Sequence, residues 1–139
     1  MLLVNRRASG FSLIEIMVVV VILGILAAIL APKIMTKPEQ ARIVKAKQDI
    51  LAIENALNLY KLDNAVYPTT DQGLQALVEK PTSDPIPQQW QPGGYLQQLS
   101  TDPWGNAYQY INDQGNIKVF SYGPQGPGSN SKDEIGNWN

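Results

Sequence analysis

Few side chains in this chain are suited to nucleophilic or metal chemistry. It has no cysteine and no histidine, which removes thiolate nucleophiles, disulfides, imidazole bases, Ser-His-Asp triads and most zinc sites together. The acids Asp63, Asp71, Asp102, Asp113, Asp133 and Glu134 show no base–nucleophile spacing, and no glycine-rich phosphate loop opens a helix. One carboxylate has an unusual setting. Glu15 lies four residues after Phe11, inside the run Phe11–Ala31, where every residue but Ser12 and Glu15 is apolar or small. An unpaired charge at that position is expensive in lipid. Directly before the run stands Asn5-Arg6-Arg7-Ala8-Ser9-Gly10, a short basic stretch ending in glycine.

The element that positions Glu15 is the apolar run itself. An α-helix rises about 1.5 Å per residue, so the run is long enough to cross a hydrocarbon layer of about 30 Å. A secretory signal would have a shorter apolar core, about 7 to 15 residues, and a small-x-small cleavage site; Ile29-Leu30-Ala31 matches that poorly. A plain single-span anchor explains the hydrophobicity but neither Glu15 nor the Gly10–Phe11 junction. Arg6 and Arg7 before the span predict a cytoplasmic N-terminus, with the rest of the chain across the membrane.

Beyond the run the chain is long enough for one modest core. Gly24 and Pro32 bracket the segment most disposed to bend or unwind. From Glu39 to Leu62 the pattern is amphipathic. Ile43, Ala46, Ile50, Ile53, Leu57 and Tyr60 recur at spacings of three and four, and Val44 and Leu51 are expected to widen that stripe. The two parts predict one long N-terminal helix ending near Asp63-Asn64. Thr69 and Gln72 then have capping-box spacing ahead of a short helix with Leu74, Leu77 and Val78 on its apolar side. Pro81, Pro85, Pro87 and Pro92 punctuate an irregular stretch ending in Gly93-Gly94. Trp90, Tyr95, Leu96 and Leu99 are expected to pin it to the helix. Ala107–Ile111 and Ile117–Tyr122 flank a Gly-containing turn and read as a hairpin. Tyr108, Tyr110, Phe120 and Tyr122 are expected on one face, against the long helix. The stretch from Gly123 to Trp138 reads as a glycine-rich loop whose ordering entropy demands a tether.

Glycine, phenylalanine, an acid at the fifth position after the glycine and an unbroken apolar run resemble the class III signal of type IV pilins and their relatives. The resemblance implies a prepilin peptidase that cuts between Gly10 and Phe11 and N-methylates the new Phe11 amine. Glu15 could then pair with such an amine on a neighbouring subunit, relieving two desolvated charges and setting the axial register of a filament. With Phe11 and Glu15 four residues apart, a contact within one chain is also open. Related filaments melt a helix during assembly in the region corresponding to Gly24–Pro32; this sequence permits melting or a simple kink.

Further blocks narrow the resemblance. Tyr67-Pro68-Thr69-Thr70 with Gln72–Leu77, Gly93-Gly94-Tyr95-Leu96, Asp102-Pro103-Trp104-Gly105-Asn106, Phe120-Ser121-Tyr122-Gly123 and Asp133–Trp138 occur in order along the chain. Together they look like the major, G-type pseudopilins of the type II secretion system. That family implies an α+β, type IV pilin-like fold, a long N-terminal helix packed on a small antiparallel sheet with a C-terminal loop. By position, residues 1–10 would be the leader, 11–63 the helix (11–31 transmembrane) and 64–139 the periplasmic globular part. It implies a non-enzymatic structural subunit, single-pass in the inner membrane before assembly, that polymerises into a periplasmic pseudopilus and helps export folded proteins across the outer membrane. The implied partners are further copies of the chain, minor pseudopilins, the inner-membrane assembly platform, the prepilin peptidase and membrane lipid.

The family also implies Ca²⁺ in the C-terminal loop, in place of the disulfide of many pilins. Carried over by position, the ligands are the Tyr122 carbonyl, the Gln125 side chain, the Asp133 carboxylate and the Ile135 carbonyl, with Glu134 adjacent. Hard oxygens suit that ion. The family usually carries an acid where this chain has Gln125, so one charge is lost and affinity is expected to fall. The alternative reading, a type IV pilus pilin for adhesion or motility, is disfavoured by the missing C-terminal cysteine pair and by the Asp102–Asn106 and Asp133–Trp138 blocks. A net charge of −1 and scattered lysines give no pull toward nucleic acid.

Overall fold

The computed structural model describes residues 8–128 and 130–139, and the side chains of all of these but residues 33–36. The leader residues Asn5, Arg6 and Arg7 lie outside the described residues, as does Ser129. The chain forms helix α1 (Leu13–Asn64), a short 3-10 helix (Leu74–Leu77), strands β1 (Gln109–Asp113) and β2 (Asn116–Ser121), a one-turn 3-10 helix (Ser131–Asp133) and strand β3 (Ile135–Gly136). As the two sequence patterns predict, α1 is a single helix, and it keeps Gly24, Pro32 and Pro38 inside it.

The chain divides into two compact units, residues 1–39 and 40–139. In the first, every side chain described from Ala8 to Pro32 is exposed. By length and composition this part of α1 can cross a membrane.

The second unit is built on the other part of α1. Ala46, Ile50, Ile53, Ala56, Leu57 and Tyr60 are buried together with Leu74, Ala76, Leu77, Tyr108, Tyr110, Val119 and Ile135. Val44 and Leu51 do not widen this stripe; they are 54% and 57% exposed. At 100° per residue they fall on the side of the helix opposite Ile53 and Leu57, so an apolar side chain there meets solvent. The helix ends on Ala65, which adopts a left-handed conformation (φ 68°) and donates its amide to the Lys61 carbonyl at 2.7 Å, the arrangement that closes many helices.

Thr69 and Gln72 form the expected reciprocal pair. The Thr69 amide donates to Gln72 Oε1 at 3.0 Å and the Gln72 amide to Thr69 Oγ1 at 3.1 Å. The pair closes the turn ahead of the 3-10 helix, whose own first residue is capped by no side chain. The proline-rich stretch is pinned by Trp90, whose Nε1 donates to the Ala76 carbonyl (2.8 Å), and by the Tyr95 and Leu96 amides, which share the Leu77 carbonyl. The Tyr95 ring packs on Tyr60. Leu99, expected to join them, is 38% exposed; it sits at the lip of a shallow cavity beside Ile53 and Tyr108.

The sheet has the order β1-β2-β3, antiparallel throughout. Gln114 and Gly115, both at positive φ (52° and 93°), make the two-residue turn between β1 and β2, as a twisted hairpin requires. The resulting register sets Tyr110 opposite Val119 and Gln109 opposite Phe120. Facing residues share a side of the sheet, so Tyr110 and Val119 enter the core and Phe120 points away. This corrects the expectation of four aromatics on one face: Phe120 packs edge-on to Tyr122 (5.6 Å) and against Trp138 (5.7 Å) on the outer side.

Candidate functional site

Two places carry the candidate residues. The first is the start of α1. Gly10 and Phe11 precede the helix and are exposed, Phe11 at 87%. The Ser12 amide donates to Glu15 Oε2 at 3.1 Å, and the Glu15 amide donates to Ser12 Oγ at 3.4 Å. This is a capping box, each side chain satisfying an amide that the first helical turn leaves open. It fixes the helix start next to Phe11 and places a carboxylate where the helix dipole favours one. Among the described residues, no cation pairs with Glu15. Among the described residues, the Ser12 amide of the same chain engages one oxygen of the carboxylate. The Ser12-x-x-Glu15 spacing is the sequence signal of that capping box.

The second place is the C-terminal loop. Ser121 pairs with Ile135 across β2 and β3, which brings Tyr122 and Gly123 alongside Asp133 and Glu134. Gly123 has φ 77°, and a β-carbon on it would collide with the Asp133 carbonyl oxygen. The structure therefore gathers Tyr122, Asp133, Glu134 and Ile135 at one end of the loop. Gln125 lies exposed in the turn between them. The Glu134 carbonyl accepts from Asn139 Nδ2 at 3.0 Å. Among the described residues no three acids cluster, and nothing donates to the Asp133 carboxylate. The oxygens gathered here, from the backbone at Tyr122 and Ile135 and from the Asp133 carboxylate, are of the kind that suits a hard cation such as Ca²⁺ rather than a soft one.

Three residues around this loop were missed by the sequence reading. Asn137 clamps the far end: its Oδ1 accepts the Val119 amide (3.2 Å), its Nδ2 donates to the Ile117 carbonyl (3.2 Å) and its amide to the Val119 carbonyl (3.0 Å). Asp102, only 3% exposed, accepts the Trp104 and Asn106 amides on Oδ1 (3.1 and 2.8 Å) and the Ser121 hydroxyl on Oδ2 (2.6 Å). Ser121 Oγ in turn accepts the Gly123 amide at 3.0 Å. The Asp-Pro-x-Gly-Asn sequence announces a turn. It does not announce that the turn's carboxylate points inward to a serine far along the chain.

An apolar helix entered through a Gly–Phe junction, an acid in its first turn and a helix-packed antiparallel sheet closed by a C-terminal loop define a type IV pilin-like protein. Residues 33–138 match the family described as type II secretion system protein G, and residues 5–31 match the prokaryotic N-terminal methylation motif. Type II secretion system core protein G of Pseudomonas aeruginosa is 54% identical over 138 residues, covering 96% of this chain and 97% of the relative. The protein of the same name from Vibrio cholerae is also 54% identical over 138 residues, covering 96% and 94%. A solved major pseudopilin from the type 2 secretion system of enterohaemorrhagic Escherichia coli superposes with a TM-score of 0.68 at 45% identity, over 75% of this chain and 92% of that one. This chain belongs to the type II secretion system protein G family, the major pseudopilins, rather than to the pilus-forming pilins.

Proposed function

We propose that the chain is made as a membrane-anchored precursor, cut between Gly10 and Phe11, methylated at the Phe11 amine and polymerised into a periplasmic pseudopilus that helps move folded proteins across the outer membrane. The observation that carries this reading is the start of α1: an exposed Gly10–Phe11 junction, Glu15 held in the first helical turn and an apolar surface covered by no part of the first unit. The methylation-motif match over residues 5–31 supports the processing step. Before assembly the span would lie in the inner membrane with residues 1–10 on the cytoplasmic side. Assembly would bring in further copies of the chain, with minor pseudopilins and an inner-membrane platform as the other partners.

The reading extends to Ca²⁺ in the C-terminal loop. Tyr122 and Ile135 would offer carbonyls, Asp133 a carboxylate and Gln125 an amide oxygen, with Glu134 at hand. When bound, the ion would neutralise Asp133 and tie the first residues of the loop to its last. The test is complementation of a bacterium lacking its own major pseudopilin. The intact chain is expected to restore secretion, and its mature N-terminus to read as methylated Phe11 by mass spectrometry. A variant blocked at Gly10 is expected to stay full-length and restore nothing. Secretion restored by the uncut variant would overturn the proposal.

A further inference from the structure

The C-terminal loop passes over the Asp102–Asn106 turn, and the two touch at two separate places. One is the chain of hydrogen bonds from the Gly123 amide through Ser121 Oγ to Asp102 Oδ2. The other is Gly126, where an added β-carbon would lie 3.6 Å from Asn106 Nδ2, an ordinary van der Waals contact. The turn is itself closed tightly. The Asp102 amide donates to the Asn106 carbonyl at 2.7 Å, the Gly105 amide donates to the Asp102 carbonyl at 3.0 Å, and both side-chain oxygens of Asp102 are engaged. Ser121 is fully buried and Asp102 nearly so. Every group in this chain of contacts is therefore held on both sides.

We propose that Asp102 is a positioning residue for the C-terminal loop, acting through Ser121 to fix the Gly123 amide and, with it, the carbonyl of Tyr122. The bond from Ser121 to Asp102 is charge-assisted, so it is short and directional. A hydroxyl that donates to a carboxylate is a better acceptor for the next amide, which strengthens the second bond. The peptide that joins Tyr122 to Gly123 carries both the amide so held and the Tyr122 carbonyl, and it is planar. Fixing its N–H therefore aims its C=O in the opposite direction. That carbonyl is one of the oxygens offered to the cation in the proposed function, and this part of the inference rests on that reading. Asp102 and Ser121 touch no ion themselves. They would set the orientation of a ligand, as the outer hydrogen-bond partners of metal ligands do.

The test uses the full chain in detergent micelles, with Ser121→Ala, Asp102→Asn, the double variant and Asp133→Asn. Ca²⁺ is titrated calorimetrically. Exchange of the Gly123 amide is followed by NMR without metal, with Leu57 in the α1 core as an internal reference. If the wild-type chain binds Ca²⁺, Ser121→Ala and Asp102→Asn are each expected to weaken it by about tenfold or more. The double variant is expected to be no worse than the weaker single one, because the two residues form one chain of bonds. Without metal, the Gly123 amide is expected to exchange at least tenfold faster in Ser121→Ala, with Leu57 unchanged. Unaltered affinity in the variants, or a Gly123 amide exchanging equally fast in wild type and Ser121→Ala, would overturn the proposal. A wild-type chain that ignores Ca²⁺, with Asp133→Asn indistinguishable from it, would remove the calcium reading alone. The Gly123 exchange rate would then decide whether Asp102 positions the loop. Faster exchange at Leu57 together with Gly123 would signal a loss of global stability rather than of positioning, and would also count against it.

Discussion

Glu15 has two candidate jobs, and a pair of substitutions separates them. Its carboxylate closes the capping box with Ser12, and it offers a charge to an amine at position 11 of a neighbouring chain. Glutamine is accepted in a capping box as readily as glutamate. Glu15→Gln therefore keeps the Ser12 amide satisfied and removes only the charge. Ser12→Ala does the reverse: it deletes the side-chain cap at 3.4 Å and leaves the carboxylate. Losing one partner of a desolvated ion pair strands the other, and that weakens association by about a hundredfold or more. Losing a serine cap at an exposed helix start weakens the helix by less than about tenfold. Sedimentation of filaments from cells expressing equal amounts of each chain reads the difference, with membrane fractionation as the control for insertion. Glu15→Gln is expected to insert normally and form no filaments. Ser12→Ala is expected to form filaments at reduced yield. If Glu15→Gln assembles like wild type, or if Ser12→Ala is the more damaging change, then the acid serves the helix start and the intersubunit charge pair is wrong.

Two further outcomes follow from the globular unit. Gly123→Ala is expected to destabilise the chain by at least about 2 kcal/mol in chemical denaturation, since a side chain at φ 77° is strained and its β-carbon would meet the Asp133 carbonyl oxygen; a loss under about 0.5 kcal/mol, the scale of an ordinary surface change, would show that the loop can shift away. Stability is expected to fall as pH rises above about 10, the ordinary tyrosine value. Burial raises the pKa of Tyr108 and Tyr110, with the Asp49 carboxylate accepting from the Tyr108 hydroxyl as a second cause. The unfolded chain then releases protons that the folded chain retains, so the contribution is complete below pH 10 and is lost through the alkaline range. Melting curves of Tyr108→Phe and Tyr110→Phe should decline less steeply there than wild type, and parallel declines would refute the assignment.

The long helix was the most legible part of the chain because its evidence is local. Ile50, Ile53, Leu57 and Tyr60 repeat at the helical period, and all four are buried. The hairpin was legible as an element, but its facing was not. Which side Phe120 takes depends on the parity of the pairing across the turn. A turn spread over residues 113–116 leaves that parity open, whereas Gln114-Gly115 as the two central residues forces Tyr110 onto Val119. Strand β3 is two residues long and has no period to read. Its place comes from Asn137 and from the flat surface of Gly136, on which the Trp138 ring lies. Asp102 is the clearest case of a tertiary decision. Its neighbours specify a turn, while its burial depends on Ser121, a partner that only the finished hairpin brings within reach.

The two units place different demands on their surroundings. In the globular unit, as among all the described residues, no buried side-chain nitrogen or oxygen lacks a hydrogen-bond partner, and the core is closed by its own helices and sheet. The apolar part of α1 has no such cover within its unit; Val18, Val20, Leu23 and Leu26 are each at least half exposed. Such a helix needs lipid or other helices around it. Exchanging one for the other changes little, because lipid tails are about as apolar as leucine and supply no hydrophobic drive for helix association. Apolar contact can therefore hold the spans in a bundle without choosing how far each slides along the next. On the proposed reading the choice comes from an interaction that lipid cannot match, and Glu15 is the only charged side chain that residues 11–31 contain. A carboxylate that found its partner at a single axial offset would convert a slippery apolar bundle into a filament with a fixed rise.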